Sequence, residues 1–207
     1  MNETTTKPNK ITSTLAYLIL VATIGYGIYS FGGKYLKSKK AEPTSEITES
    51  VFQKAMEPIY ANPQKIKIDG VGISAQIVQV GVAEDGSLET PKDWKEAGWY
   101  YKSSKPGQPG NLIINAHYDD NFGNAAAFWQ LKNVKVGDTV SVLDDFGRKY
   151  EYQISEYNLI SINDPNRSDV FKSDESVKIT LITCGGVWIP GKATYDKRLV
   201  LKGELIR

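Results

Sequence analysis

Three side chains have the types and settings that acyl transfer requires: Cys184, His117 and Arg198. The 207 residues include one cysteine and one histidine. Cys184 lies in Ile179-Thr-Leu-Ile-Thr-Cys-Gly-Gly186, an apolar run that reads as a strand ending at the cysteine. A strand end would bring the sulfur to a rim, and Gly185 and Gly186 would let a peptide backbone approach closely. Only the thiolate attacks a carbonyl, so the thiol needs a proton partner. His117 is the sole imidazole and follows the apolar run Leu112–Ala116, again at a strand end. Such a ring can share the thiol proton and later protonate a leaving amine. Of the four arginines, Arg148 follows a tight turn, Arg167 lies in a polar loop and Arg207 is the last residue. Arg198 opens the final apolar strand, where its guanidinium could stabilise a developing oxyanion on a neighbouring strand. Taken singly, each residue also has a bland reading: a buried small hydrophobe, a loop histidine and a solvated strand end. Asp119 and Asp120 follow His117 closely and read either as acids that tune it or, as is usual for adjacent acids in a loop, as solvated side chains. A single cysteine excludes an intramolecular disulfide and a cysteine-based metal cluster.

The elements that must position these residues are mostly strands. Ile66, Ile68, Ile73, Ile77, Val78 and Val80 mark two strands broken at Asp69-Gly70, and Asp85-Gly86 reads as a turn. Trp94, Trp99, Tyr100 and Tyr101 cluster around a short connection. Asn111–Ala116 is a strand, and Ala125–Lys132 reads as a short helix. Thr139–Leu143 and Tyr150–Ile162 form a strand pair turning at Phe146-Gly147. Asp164–Lys172 is a loop with a helical turn, Val177–Thr183 a strand, and Arg198–Ile206 the last strand. About eight short strands with few helices predict a mainly β fold, a closed or nearly closed barrel.

The N-terminal part is different in kind. Residues 14–33 form twenty consecutive uncharged positions. As a helix they would span roughly 30 Å, the thickness of the hydrocarbon core, with Tyr17, Tyr26 and Tyr29 available for the interfaces. The run is longer than a usual signal-peptide core and lacks a clear A-x-A site, so an uncleaved transmembrane helix is expected. Ile47, Val51, Ala55 and Ile59 recur every fourth position and predict a short amphipathic helix in the following linker. Residues 1–40 carry six Lys and one acidic residue, net +5; residues 41–207 carry the other 19 basic and 23 acidic residues, net −4. A mildly acidic domain argues against a nucleic-acid partner. Lys34, Lys37, Lys39 and Lys40 lie just after the span, and the positive-inside rule would put the C-terminal domain in the cytoplasm.

Several strings resemble the sortase family. Thr180-Leu-Ile-Thr-Cys184 is similar to its TLxTC motif, Asn115-Ala-His117 to its histidine region, and Lys197-Arg-Leu-Val200 to the strand start that carries its essential arginine. Gly137-Asp138 followed by Thr139-Val-Ser-Val142 also fits. Ala97-Gly-Trp-Tyr100 and Pro109-Gly-Asn-Leu-Ile113 resemble class F members in particular, with class E next. The likeness covers about residues 65–206. It implies a tail at 1–13, an anchor at 14–33, a linker at 34–64 and a sortase catalytic domain at 65–207. It implies that Cys184 attacks the Thr–Gly carbonyl of an LPxTG-like sorting signal on a secreted protein, that Arg198 steadies the oxyanion, and that His117 acts as acid and base. The thioester would pass to an amine, such as a lipid-linked peptidoglycan precursor or a pilin lysine, with no metal or organic cofactor. It also implies a membrane-anchored protein whose catalytic domain faces outward, against the lysine count. An L,D-transpeptidase would need a histidine two residues before its cysteine, where this chain has Ile182. A tethered β-domain without turnover is the reading from another class.

Overall fold

The computed structural model describes residues 19–27, 29, 30 and 59–207. The predicted tail, the linker helix short of Ile59, and residues 14–18, 28 and 31–33 of the predicted span lie outside the described residues. Residues 19–27, 29 and 30 are helical. The Thr23 hydroxyl donates to the carbonyls of Ile19 (3.1 Å) and Leu20 (2.9 Å), and that of Ser30 donates to Tyr26 (2.7 Å). These polar groups are therefore satisfied within the helix. Among the described residues no helix is long and apolar enough to cross a membrane.

Residues 59–207 form a closed barrel of eight strands: β1 (Pro63–Ile68), β2 (Ile73–Val80), β3 (Ala97–Tyr100), β4 (Gly110–Ala116), β5 (Thr139–Asp144), β6 (Lys149–Ser161), β7 (Val177–Ile189) and β8 (Thr194–Leu205). The order around the barrel is β1-β2-β3-β4-β7-β8-β6-β5, and β1 pairs with β5 to close it. Strand alternation sets the inside. In β1, Ile66 and Ile68 are buried while Lys65 and Lys67 are not. Ile114, Leu131, Phe128, Tyr152, Leu181 and Leu201 share that core. Two pairs, β2–β3 and β4–β7, are parallel. Parallel neighbours cannot be joined by a tight hairpin, so the β2–β3 connection is long, and it passes beside His117. β4 is buried along its whole length, which explains its continuous apolar run.

The mainly β barrel of eight strands matches the expectation, with differences in detail. Trp99 and Tyr100 lie in a strand, not in a connection: β3 sits between parallel β2 and antiparallel β4. Gly98 disguises it in the sequence, yet a Cβ there would lie 2.6 Å from Asn115 Oδ1 and 2.7 Å from Val80 Cγ1. The helix expected over 125–132 is only a 3-10 turn at Trp129–Asn133. β7 does not stop at Cys184; it continues through an irregularity between Gly185 and Trp188 to Ile189. Likewise β8 begins at Thr194, four residues before Arg198. A bulge lets both strands continue past a glycine pair that reads as a terminator.

Candidate active site

The threonines beside the cysteine fasten β7 to β4. Thr183 Oγ1 donates to the carbonyl of Ala116 (2.8 Å), the residue before His117. Thr180 Oγ1 donates to Asn111 Oδ1 (2.8 Å), and Asn111 Nδ2 donates to the carbonyls of Val170 (3.0 Å) and Lys172 (3.2 Å). The buried Asn111 thus holds the 3-10 turn Arg167–Phe171 and its exit over the outer face of the sheet. On that face β7 presents Ile182 and Cys184, while Ile179, Leu181 and Thr183 turn inward.

Cys184 and Arg198 are direct partners in the β7–β8 register. His117 leaves the end of β4, and with Cys184 and Arg198 it lines one cavity of about 650 Å³. Its other walls are Ser87 and Leu88 from the β2–β3 connection, Ile160 and Ile162 at the end of β6, and Val170 and Phe171. The structure therefore brings all three sequence-predicted residues to a common cavity. No hydrogen bond among the described residues links any one of the three to another.

Each of the three has its own support. His117 Nε2 lies 2.9 Å from the carbonyl of Pro91. A carbonyl only accepts, so Nε2 carries a proton in this bond and Nδ1 is the nitrogen left for further chemistry. Trp94 packs on the imidazole with ring centroids 4.2 Å apart. The Arg198 guanidinium donates to the carbonyls of Tyr195 (3.2 Å) and Lys197 (3.0 Å) and to Thr194 Oγ1 (3.1 Å). Cys184 is partly buried. Burial pushes its thiol above the ordinary range, the Arg198 charge pulls the other way, and Asp119 adds to the upward push.

The glycines after the cysteine serve the strand pair itself. Gly186 has φ +83°, and a Cβ there would collide with the Asp196 carboxylate, which accepts from Val187 N–H (2.6 Å). A Cβ on Gly185 would lie 3.1 Å from Leu159 Cδ2 and 3.3 Å from the Leu199 nitrogen. At Gly185 the backbone that approaches closely is that of β8.

Sequence reasoning missed the partners of the loop acids. Asp120 accepts from Phe122 N–H and Asn124 N–H (2.8 Å each), so it closes a turn. Asp119 accepts a hydrogen bond from the Tyr195 hydroxyl. It is not simply solvated, and only the packing of two distant segments could show it. Asn115, buried in the cavity wall, donates to the Glu89 carbonyl (2.9 Å), and its Oδ1 has no partner among the described residues. The arrangement combines a thiol, an imidazole with one free nitrogen and a fixed guanidinium around a groove of peptide size. That set can form and resolve a thioester.

The family model for the Sortase domain matches residues 66–206. Solved structures with the same fold include a Clostridium perfringens Sortase D5 transpeptidase, 22% identical, with TM-score 0.51 over 77% of this chain and 89% of that one. Listeria monocytogenes sortase A is 22% identical, with TM-score 0.53 over 72% of this chain and 89% of that one. A pilus-related Sortase C of Group B Streptococcus is 18% identical, with TM-score 0.52 over 74% and 71%. At these identities the likeness concerns the fold. No curated protein matches the chain.

Proposed function

The chain belongs to the sortase family of cysteine transpeptidases, and from that premise we propose that it cleaves an LPxTG-like sorting signal between Thr and Gly and transfers the acyl group to an amine. The observation that carries this reading is the shared cavity: Cys184 and Arg198 face one another across β7 and β8, and His117 lines the same groove. In this reading Cys184 passes its thiol proton to His117 Nδ1 as Sγ forms a bond to the Thr carbonyl carbon, and Arg198 stabilises the oxyanion of the tetrahedral intermediate. The C–N bond breaks as His117 Nδ1 gives its proton to the departing Gly amine. An incoming amine then attacks the thioester, His117 takes its proton, and the C–S bond breaks to return the thiolate. A lipid-linked peptidoglycan precursor or a pilin lysine has the required primary amine.

The uncharged run at 14–33 supports anchoring in the membrane. A substrate secreted by the cell places the barrel outside, despite the lysines at 34–40. Within the family, Ala97-Gly-Trp-Tyr100 and Pro109-Gly-Asn-Leu-Ile113 favour a class F-like member.

The test mixes residues 41–207 with fluorogenic peptides carrying LPxTG and LAxTG, plus triglycine, and follows the products by mass spectrometry. The expected outcome is cleavage at Thr–Gly, a thioester on Cys184 and a ligated product, all absent in Cys184→Ala. No product with a Cys184 that also resists alkylation would overturn the catalytic reading. No product with a reactive Cys184 would overturn the choice of signal alone.

A further inference from the structure

Arg198 stands on β8 and His117 just past the end of β4, and neither bonds to the other. Two of Arg198's three partners, the Thr194 hydroxyl and the Tyr195 carbonyl, belong to the start of β8. Where Tyr195 is held, its carbonyl is held, and the guanidinium with it. The Tyr195 ring packs edge-on against Trp188 (centroids 5.3 Å apart) and Tyr118 (5.6 Å). Its hydroxyl ends on the Asp119 carboxylate. Tyr118 and Asp119 are the two residues that follow His117. The segment they begin is tied back by the Asp119–Ala125 bridge and by Phe128 N–H donating to the His117 carbonyl (2.9 Å). Two side-chain contacts, both made by Tyr195, therefore join the flank of His117 to the flank of Arg198.

We propose that Asp119 and Tyr195 are a positioning pair: their hydrogen bond fixes the start of β8 against the loop after His117 and so sets where the Arg198 guanidinium lies relative to Cys184. The proposal rests on the catalytic reading given above for Arg198 and His117. A phenol bonded to a carboxylate is a charge-assisted contact, short and directional. Thr194 and Tyr195 pair with Ile189 and Trp188, but the β7–β8 ladder is interrupted between Gly185 and Trp188, so this end of β8 is separated from the paired stretch that carries Cys184 and Arg198. Oxyanion stabilisation depends on a donor held within a few tenths of an ångström of its place. A guanidinium hung from a mobile carbonyl loses that placement even when the thiol is untouched.

The experiment separates placement from thiol chemistry. Tyr195→Phe keeps the ring and its packing and removes only the hydroxyl. Asp119→Asn keeps an oxygen acceptor and removes the charge. In Tyr195→Phe, acylation of Cys184 by an LPxTG peptide should slow about tenfold with KM within twofold, because oxyanion donors act in the transition state. Alkylation of Cys184 by iodoacetamide needs no oxyanion donor and should stay within twofold of wild type. Asp119→Asn should fall between the two in acylation. Arg198 guanidinium N–H signals, assigned with Arg198→Lys, should be distinct in the wild type and averaged in Tyr195→Phe. Unchanged acylation, or alkylation and acylation falling together, would overturn the pair. Should the wild type fail to acylate while the Arg198 signals still collapse in Tyr195→Phe, the sorting-signal reading fails and the positioning pair stands. Signals unaffected by the substitution remove the pair itself.

Discussion

Cys184 carries a thiol that its surroundings hold protonated. Burial and the nearby Asp119 charge push its pKa up, and Arg198 opposes them. A free cysteine ionises near 8.5, so at neutral pH only a small fraction is thiolate and reactivity rises with pH. The sign for stability comes from proton uptake. The folded thiol holds its proton more tightly than the unfolded one, so its contribution is whole below about 8.5. It is lost as pH rises through the higher folded value. The same directions give an alkylation test. The midpoint of Cys184 alkylation against pH should lie above that of free cysteine. Arg198→Ala should move it further up, and Asp119→Asn should move it down. A midpoint that ignores both charges would show that burial alone governs the thiol. At this scale the sequence was informative where residue types are scarce: one cysteine, one histidine and four arginines left few combinations. It was silent on Pro91 and Tyr195 and left the role of Asp119 open, because these roles depend on contacts between segments 26 and 76 positions apart.

At the scale of elements, the apolar runs revealed most strands, but not where they end. Cys184 reads as a strand terminus because two glycines come after it, yet β7 continues, since the bulge and the left-handed Gly186 let β8 remain alongside. β3 was hidden because a four-residue strand with a central glycine carries almost no periodic signal. The TLxTC-like string carries information of another kind: both of its threonines bond to β4. Thr183→Val retains the shape and removes the donor, leaving the buried Ala116 carbonyl short of a partner. It should cost about 1–3 kcal/mol in urea unfolding and lower turnover, because the bond lies between the residue before Cys184 and the residue before His117. Thr183→Ser keeps a donor and should recover most of both. Equal loss in the Val and Ser variants would point to methyl packing instead of the hydroxyl.

For the whole molecule, closure is the property that no single segment announces. Alternation predicts β1 and β5 as strands, but not that Ile66 would sit opposite both Ala75 and Val142. That pairing joins the first strand to a segment more than seventy positions on, and it leaves the barrel without an edge. Removing β1 would do two things together. It would bare the facing rows of β2 and β5, each an unpaired template for another chain. It would also take Ile66 and Ile68 out of the core, where both are almost fully buried. Each buried Ile side chain contributes roughly 1.5–3 kcal/mol, against a total stability for such domains of about 5–15 kcal/mol. The lost ladder adds to the lost burial, so most of the margin disappears. Residues 59–207 should therefore give a single cooperative thermal transition and elute as a compact species. Residues 69–207 should lose near-ultraviolet circular dichroism and elute as aggregates. A soluble 69–207 with the same melting temperature would mean that the remaining seven strands hold the cavity by themselves, with β1 only covering the sheet.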